Sequence, residues 1–315
     1  MAIVGAGRLG TALGLALKSI GCKIEVVAAK RASSARRAAK IFGAETVALS
    51  AHQLGRPAPG QLERLERCSL MLIATPDDTV ATVAKRLSEV LESERTPGSG
   101  KRSSAVRRVV LHTSGALASD VLKPMHRSGF AIGSLHPLVA ISESRSGAEL
   151  LTHGFFSVEG DVAAVRMGRS IVSNLGGESF RIDSRRKALY HAAAVTASPH
   201  ITALFDIALE MLIVCGLKPR QAQRVLLPLV RSTVSNLATQ EPALALTGTF
   251  RRGDVSTVQK HLAALKDARL PQALSAYVLL GQRSISMAKR HQENAAGLDE
   301  IARILARVAK DVPLR

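Results

Sequence analysis

Residues 2–10 of the 315-residue chain read Ala-Ile-Val-Gly-Ala-Gly-Arg-Leu-Gly. A short apolar run leads into Gly5, Gly7 and Gly10, which stand in the spacing Gly-x-Gly-x-x-Gly. A helical pattern follows directly, and a second apolar run spans residues 23–28. The order predicts a strand, a glycine turn, a helix and a second parallel strand, which is the context that separates a functional glycine motif from a chance match.

In such a unit the first glycine makes a tight turn and the second lets the backbone approach a pyrophosphate. The third lets the helix pack on the strand, and the phosphates lie at the helix N-terminus. The alternative is a glycine turn without a ligand. We predict a dinucleotide site formed by Gly5, Ala6, Gly7, Arg8, Leu9 and Gly10.

The tip of the second strand indicates which dinucleotide is bound. Sites for NAD place an acid there, whereas sites for NADP carry cations or hydroxyls that bind the 2′-phosphate. Here the tip carries Lys30, Arg31 and Ser33, and the one acid nearby, Glu25, falls within the predicted strand. The pattern favours NADP(H), with solvated loop charges as the alternative.

Composition limits the class of protein. Hydrophobic residues make up 46% and aromatic residues 3%, so aliphatic side chains must build the core. No uncharged apolar run reaches ~18 residues, so we expect no membrane span. Cys22, Cys68 and Cys215 lie far apart, which favours reduced thiols and argues against a metal site or a disulfide framework. Because the first strand begins at residue 2, we expect no signal peptide and a cytoplasmic protein.

The net charge of +18 raises the possibility of a nucleic-acid partner or an anionic surface. The densest basic stretches, residues 30–40 and 101–108, contain no aromatic residues, and no helix-turn-helix or RNA-binding signature accompanies them. We therefore expect a solvated, arginine-rich surface, a small-molecule substrate, and neither nucleic acid nor membrane as a partner.

The periodicity divides the chain into two parts. Up to residue 182 strands alternate with helices, which predicts an α/β fold with a doubly wound, mainly parallel sheet. From residue 183 strand signals are absent, so we predict an NADP-binding domain over 1–182 and an all-α substrate and dimerisation domain over 183–315. The predicted strands are 2–4, 23–28, 45–49, 69–74, 109–112, 131–136, 155–159 and 178–182.

Five further segments are predicted less directly. Residues 93–107 have the composition of an exposed loop, and residues 140–152 that of an irregular one. A helix is expected between Gly115 and Arg127, and one long helix over 184–215 with a kink at Pro199. Ser256 has the spacing of a capping box for a helix that starts at Thr257.

Polar residues follow several predicted strands, and in this topology the carboxyl ends of strands face the ligand crevice. Thr75, Pro76 and Asp77 follow one strand, and Thr113 follows the next, so we predict that these four residues contact the cofactor. Capping of the following helix by Asp77 or Asp78 is an alternative that is compatible with this role.

Ser114 and His136 end neighbouring strands at the same edge, where a hydroxyl and an imidazole could bind a carbonyl or a carboxylate. Lys187 and His191 stand four residues apart and share one helix face. A buried lysine with a lowered pKa can donate a proton to a carbonyl oxygen. The alternatives are a structural histidine at a strand end and a basic first helical turn.

Several motifs together resemble one family, the Rossmann-like proteins with a helical C-terminal domain of unknown function (DUF2520-type). Its relatives are pyrroline-5-carboxylate reductase, ketopantoate reductase and the β-hydroxyacid dehydrogenases. The resemblance rests on Gly5–Gly10, Ala74–Asp78, His112–Gly115, Ser134–Leu138, Tyr190–Ala194, Leu246–Gly248 and Arg252–Asp254.

The resemblance implies an NADP-type cofactor, a helical domain similar to the C-terminal domain of 6-phosphogluconate dehydrogenase, a homodimer formed through that domain, and a site between domains. The spacing of Lys187 and His191 is similar to the Lys-x-x-x-Asn of β-hydroxyacid dehydrogenases, with His in place of Asn. Pro199 and Thr249 depart from the family pattern, where Asn and Pro are more frequent.

The leading hypothesis is an NADPH-dependent oxidoreductase that transfers hydride to or from a small anionic carbonyl, imine or hydroxy acid. Lys187 or His191 would handle the proton, and Ser114 and His136 would position the substrate. A non-catalytic NADP(H)-binding regulatory or scaffold protein is the main alternative, and a polyanion binder is the third.

Overall fold

The computed structural model describes residues 1–93, 108–291 and 295–311. It forms two compact units, Met1–Thr196 and Ala197–Arg315. The predicted boundary after residue 182 marks the change from strands to helices, whereas the contacts divide the chain further along. The exposed loop predicted over 93–107 lies, except for Ser93, outside the described residues.

The first unit contains one eight-stranded sheet in the order β3-β2-β1-β4-β5-β6-β7-β8. All neighbours are parallel except β6 and β7, which are antiparallel. Each predicted strand is confirmed, with its ends shifted by a few residues at most. The strands are β1 (Ala2–Val4), β2 (Val26–Ala29), β3 (Val47–Ser50), β4 (Leu70–Ile73), β5 (Arg108–His112), β6 (Phe130–Pro137), β7 (Phe155–Gly160) and β8 (Glu178–Phe180).

Helices cover the sheet and bury its apolar strands. In β4, Met71 and Ile73 belong to one core cluster and Leu70 and Leu72 to another, so this strand is buried on both faces, as its continuous apolar run predicts. The α-helices of this unit are α1 (Arg8–Ser19), α2 (Ala32–Phe42), α3 (Ala51–Gly55), α4 (Pro59–Arg67), α5 (Asp77–Ser93), α6 (Ser144–Leu151), α7 (Val162–Asn174) and α8 (Lys187–Ala197).

The described residues of the second unit are helical apart from loops. Its core contains Val258, Leu298, Ile301 and Leu305, whereas no side chain of the first helix is buried. The helices are α9 (Pro199–Val214), α10 (Pro219–Thr239), α11 (Pro242–Ala245), α12 (Thr249–Arg252), α13 (Val255–Asp267), α14 (Pro271–Ala288) and α15 (Ala295–Asp311).

Two segments of the first unit differ from the prediction. Residues predicted as an irregular loop contain α6, whose Gly147 is buried and packs so closely that an added Cβ would lie 2.6 Å from Ile141 and 3.3 Å from Ala12 on α1. Tertiary packing therefore stabilises a helix with no strong local signal. Ser119–His126 is a 3₁₀ helix, and Pro124 inside it leaves one hydrogen bond of the helical series unmade.

The long helix predicted over 184–215 is broken. Ser184–Arg186 is a 3₁₀ turn, and α8 and α9 are separated by Ser198, whose φ of −133° and ψ of −79° are not helical. A residue before proline is driven out of the helical region by steric clash. The N-cap of α13 is Asp254, which accepts a bond from Thr257 N across 3.1 Å, so the cap predicted at Ser256 is wrong.

By length and composition alone, the 31-residue run Ser184–Val214 could cross a membrane, and its apolar window is 0% buried within the chain. The break at Ser198 divides this run into α8, of 11 residues, and α9, of 16 residues. Each helix is shorter than the ~20 residues that a membrane span requires.

Candidate functional site

The glycine turn after β1 has a shape that only glycine permits at two positions. Gly5 has a φ of +114° and donates its N–H to the carbonyl of Ala28 across 2.8 Å. A Cβ on Gly5 would collide with the carbonyl of Ala74, and a Cβ on Gly10 would collide with the carbonyl of Gly5. These two glycines hold β1, β4 and α1 together at the carboxyl edge of the sheet.

Gly7, unlike Gly5 and Gly10, is not crowded by other atoms. No atom lies within 4 Å of an added Cβ, so the backbone faces open space. Gly7 is the N-cap of α1, which has no side-chain cap and no acid in its first turn, so the first N–H groups can bind an anion. Arg8 is exposed beside them, and Ala6 and Leu9 are half-buried. The turn therefore fits a pyrophosphate.

The tip of β2 also fits a phosphate. Lys30 and Arg31 are exposed, Arg31 is the N-cap of α2, and Ser33 lies in a first turn that contains no acid. Glu25 lies at the amino end of β2 rather than within it, and forms ion pairs with Lys23 and Arg64 at 3.6 and 3.4 Å. The acid is thus held at the opposite end of the strand.

The residues that follow β4 and β5 are linked to each other. Asp77 lies in the first turn of α5, and its Oδ2 accepts a hydrogen bond from Ser114 Oγ across 2.8 Å. Thr113 is buried and donates its N–H to the carbonyl of Ile73. Thr75 Oγ1 is buried and has no hydrogen-bond partner among the described residues. Pro76 is exposed beside it.

Ser114 is engaged within the protein. Its Oγ donates to Asp77 and accepts from the N–H groups of Ala116 and Leu117 at 3.1 and 3.0 Å. Its carbonyl accepts from Lys187 Nζ across 3.2 Å. The hydroxyl that the sequence suggests for the substrate is therefore used to build the turn.

Lys187 is the one buried residue of α8, and its side chain is 1% exposed. Its Nζ donates to Ser134 Oγ across 2.6 Å and lies 3.9 Å from Glu159 Oε1. Burial lowers the pKa of Lys187 to about 8, while the carboxylates of Glu159 and Asp77 act in the opposite direction. Because the ammonium is enclosed, it acts on His112 and His136 by its charge, through space.

His136 and Tyr190 form a hydrogen bond of 2.8 Å between Nδ1 and the hydroxyl oxygen, with their rings edge to face. Burial, followed by the charges of Lys187 and His191, lowers the pKa of His136 to about 4, so the imidazole is neutral at pH 7. A neutral imidazole and a hydroxyl that share one hydrogen bond keep one donor free, at His136 Nε2 or at the Tyr190 oxygen.

His191 meets His136 over Gly115. A Cβ on Gly115 would lie 2.5 Å from His191 Nδ1 and 2.8 Å from His136 Nε2. The two rings pack edge to face, 5.7 Å apart, and His191 Nδ1 is buried with no partner within the described part of the chain. The absence of a side chain at Gly115 thus allows two imidazoles to converge on one point.

Three buried polar residues stand in one row across the sheet, and two of them, His112 and Ser134, lie in motifs that the sequence already offered. His112, Ser134 and Glu159 are register partners on β5, β6 and β7. Ser134 could have been found, because it shares a strand face with His136 two residues on. Glu159 had no local signal, since its neighbours depend on the antiparallel pairing of β7.

His112 is fully buried, and burial, followed by the charge of Lys187, lowers its pKa to about 3. Its Nδ1 accepts from Ser114 N across 3.2 Å, and its Nε2 has no partner among the described residues. In the described ranges, no group of three or more His, Cys, Asp or Glu side chains is arranged to hold a metal ion.

Comparisons with known proteins agree with the fold. The model of a Rossmann-like domain matches residues 1–137, and that of a domain of unknown function (DUF2520) matches residues 154–284. No curated protein sequence matches the chain.

Solved structures share the fold over nearly the whole chain. A protein from Thermotoga maritima is 21% identical with a TM-score of 0.66, and the match covers 93% of this chain and 99% of that one. A reductive aminase from Aspergillus terreus in complex with NADPH and ethyl levulinate is 15% identical with a TM-score of 0.58, covering 97% and 98%. A Plasmodium falciparum pyrroline carboxylate reductase with NADP bound is 12% identical with a TM-score of 0.52, covering 91% and 97%.

Proposed function

The chain belongs to the proteins that join a Rossmann-like domain to a DUF2520 domain, and we propose that it is an NADPH-dependent oxidoreductase. It would transfer hydride to or from a small anionic carbonyl or imine, or the corresponding hydroxy acid. The observation that carries this proposal is the group of polar side chains at the carboxyl ends of β5 and β6, where the buried ammonium of Lys187 acts on His136 and the rings of His136 and His191 converge on Gly115.

The cofactor assignment rests on this chain's own residues. The backbone of Gly7 and the first turn of α1 are open to a pyrophosphate, and Lys30, Arg31 and Ser33 suit a 2′-phosphate. NADPH, when bound, supplies the hydride. The reductive aminase and the pyrroline carboxylate reductase of the same fold contain NADPH and NADP, which supports the assignment. Thr75, Pro76, Asp77 and Thr113 would complete the cofactor side of the site.

On the substrate side, each group has a separate role. The free donor of the His136–Tyr190 pair would bind the carbonyl oxygen or the imine nitrogen. His191 Nδ1 has no partner among the described residues. It would give a proton to the carbonyl oxygen or imine nitrogen of the substrate, or take one from the hydroxyl or amine in the reverse direction. The charge of Lys187 favours negative charge that develops nearby, because charges interact strongly in a buried environment. The same charge favours an anionic substrate.

The proposal is tested in two steps with the purified chain. Thermal shifts with NADPH and NADH measure cofactor preference, because a ligand stabilises the fold that binds it. A panel of small keto acids, cyclic imines and hydroxy acids is then followed by NADPH absorbance. Turnover that His191→Ala reduces at unchanged NADPH affinity supports the proposal. Tight NADPH binding without turnover of any substrate would favour the non-catalytic regulatory or scaffold function.

We also propose that the active form is a homodimer. No side chain of α9 is buried within the chain, although Ile201, Leu204 and Ile213 are apolar. In α10, Ala222 is the one buried residue, and Leu229 and Val234 are exposed. Apolar side chains exposed on two consecutive helices indicate an interaction face. A second copy of the chain is the occupant that the family resemblance implies.

A reducing compartment suits the cysteines. Cys22, Cys68 and Cys215 are all free thiols, and Cys215 is exposed. Free thiols persist where the cell keeps them reduced. We propose a cytoplasmic location on this ground.

A further inference from the structure

Glu159 is a buried acid beside Lys187, and the proposed function assigns it no role. It is 7% exposed and lies directly opposite Ser134 in the sheet. Its Oε1 lies 3.9 Å from Lys187 Nζ, with both side chains almost fully enclosed. A carboxylate is seldom buried without compensating partners, because removing its charge from water is costly.

The carboxylate of Glu159 is held by Ser119. Ser119 donates its backbone N–H to Oε1 across 2.8 Å and its hydroxyl to Oε2 across 2.7 Å. Ser119 is itself buried, at the start of the 3₁₀ helix Ser119–His126. Two donors from one residue fix the orientation of the carboxylate.

The ammonium is fixed independently of the carboxylate. Lys187 Nζ donates to Ser134 Oγ and to the carbonyl of Ser114, both of which are neutral groups. The carboxylate and the ammonium therefore face each other as two separately anchored charges at 3.9 Å. Their interaction is through space. It affects how tightly Lys187 holds its proton, whereas Ser134 and Ser114 fix the position of Nζ.

We propose that Glu159 is a positioning residue for the proposed reaction, whose fixed negative charge keeps the Lys187 ammonium protonated at the carboxyl edge of β5 and β6. The inference rests on the proposed function for its catalytic meaning. The charge interaction itself is a property of the folded chain and can be measured without a substrate.

The groups around Lys187 act in opposite directions. The imidazoles of His112 on β5 and His136 on β6 adjoin it, and both are neutral near pH 7. Burial lowers the pKa of Lys187 to about 8; Glu159 on β7 opposes this most strongly, and Asp77 at the start of α5 opposes it less. Without the charge of Glu159, the effect of burial is opposed less, and the ammonium loses its proton at a lower pH.

The test is a pH titration of the full chain labelled with ¹⁵N-lysine, in which NMR follows Nζ of Lys187. The resonance is assigned by its absence in Lys187→Met. Glu159→Gln removes the charge but keeps an oxygen that can accept from Ser119. Asp161→Asn is the matched control, because Asp161 is an acid two residues along the chain that accepts from Ile132 N and lies apart from Lys187.

We expect Glu159→Gln to lower the titration midpoint of Lys187 by about one pH unit or more, a tenfold loss of proton affinity, and Asp161→Asn to leave it in place. An unchanged midpoint in Glu159→Gln would overturn the proposal. If Glu159→Gln does not fold, Glu159→Asp keeps the charge but shortens the side chain by one methylene, which moves the carboxylate away from Lys187 Nζ. The Lys187 midpoint must then fall relative to wild type, and an unchanged value refutes the proposal.

NADPH titrations of the same samples separate this inference from the proposed function. If NADPH does not bind to the wild-type chain, the proposed function fails, whereas the NMR titration still decides whether Glu159 sets the charge of Lys187. If NADPH binds and the Lys187 midpoint is independent of Glu159, only the inference fails.

Discussion

Ser134 on β6 and Glu159 on β7 are register partners on antiparallel strands, and the ammonium of Lys187 lies against both. The pairing brings residues separated by 25 positions to the same face of the sheet, since opposed residues on neighbouring strands point the same way. A lysine from a helix after the last strand closes the group.

Lys187→Met should lower the free energy of unfolding by about 3–5 kcal/mol, because it leaves the buried carboxylate of Glu159 without its cation. Urea denaturation measures the loss. The double variant Lys187→Met/Glu159→Gln should recover part of it, since no uncompensated charge remains. A loss in the double variant equal to the sum of the two single losses would show that the residues do not interact.

Stability should fall as the pH is lowered from 6.5 towards 4. Burial lowers the pKa of His136 to about 4 and that of His112 to about 3, so the unfolded chain binds more protons than the folded chain in this window. Each histidine therefore contributes stability above pH 6.5 that is lost on acidification, with a limiting slope of about 1.4 kcal/mol per pH unit.

Urea midpoints measured from pH 4 to 7 check this slope. His136→Gln should make the pH dependence shallower, because one of the two groups no longer titrates. His153→Gln is the control, since His153 lies on the surface of the same unit and bonds to the carbonyl of Gly176. Equal slopes in wild type and His136→Gln would contradict the prediction.

Lys187 also makes the free energy of unfolding rise with pH, in the alkaline range. Its pKa of about 8 in the folded chain lies below the ordinary value of 10.5, so the unfolded chain binds the proton more tightly between these values. This contribution rises with pH from about 8 to 10.5. The free energy of unfolding is measured for wild type and for Lys187→Met over this pH range. The rise due to Lys187 should be absent in the variant.

Gly115→Ala should disturb catalysis while leaving NADPH binding nearly unchanged. The new Cβ would lie 2.5 Å from His191 Nδ1 and 2.8 Å from His136 Nε2, so both rings must move. With any substrate that is turned over, we expect kcat/KM to fall at least about tenfold, which corresponds to about 1.4 kcal/mol. Gly60→Ala is the control, because nothing lies within 4 Å of a Cβ there. Full activity of Gly115→Ala would contradict the proposed role of the imidazole pair.

The double variant Lys30→Ala/Arg31→Ala should weaken NADPH binding by about 10- to 100-fold, because charge-assisted bonds contribute about 1.5–3 kcal/mol. NADH binding should change little, since NADH has no 2′-phosphate. Calorimetric titration with both nucleotides gives the ratio. Lys40→Ala, at the other end of α2, controls for the overall loss of charge. A parallel loss of NADH affinity would indicate damage to the fold instead.

Light scattering should give a molar mass of twice the 33.4 kDa of the single chain. Ile201→Asp on α9 should reduce this mass, because it buries a charge in the apolar face. Leu138→Asp replaces an exposed leucine of the first unit and should leave the mass unchanged. A monomeric wild-type protein would exclude the second copy as the occupant of this face.

Much of the fold was predictable because its signals are local. The eight strands follow from apolar runs bounded by turn residues. The glycine turn follows from the spacing of Gly5 and Gly10, whose positions leave no room for a side chain. The position of Lys30 and Arg31 at the tip of β2 was predictable for the same reason, since this strand follows the motif directly along the chain.

What the sequence by itself determined is therefore the Rossmann-like topology, the cofactor turn and the change to helices after residue 182. The tertiary structure alone decided that Lys187 is enclosed, that Ser114 uses its hydroxyl within the turn, and that Glu159 accepts from Ser119 beside Lys187. The physical reason is the range of the interactions. Dihedral preferences and hydrophobic periodicity act over a few residues, whereas the partner of a buried charge is chosen by strand pairing across the sheet.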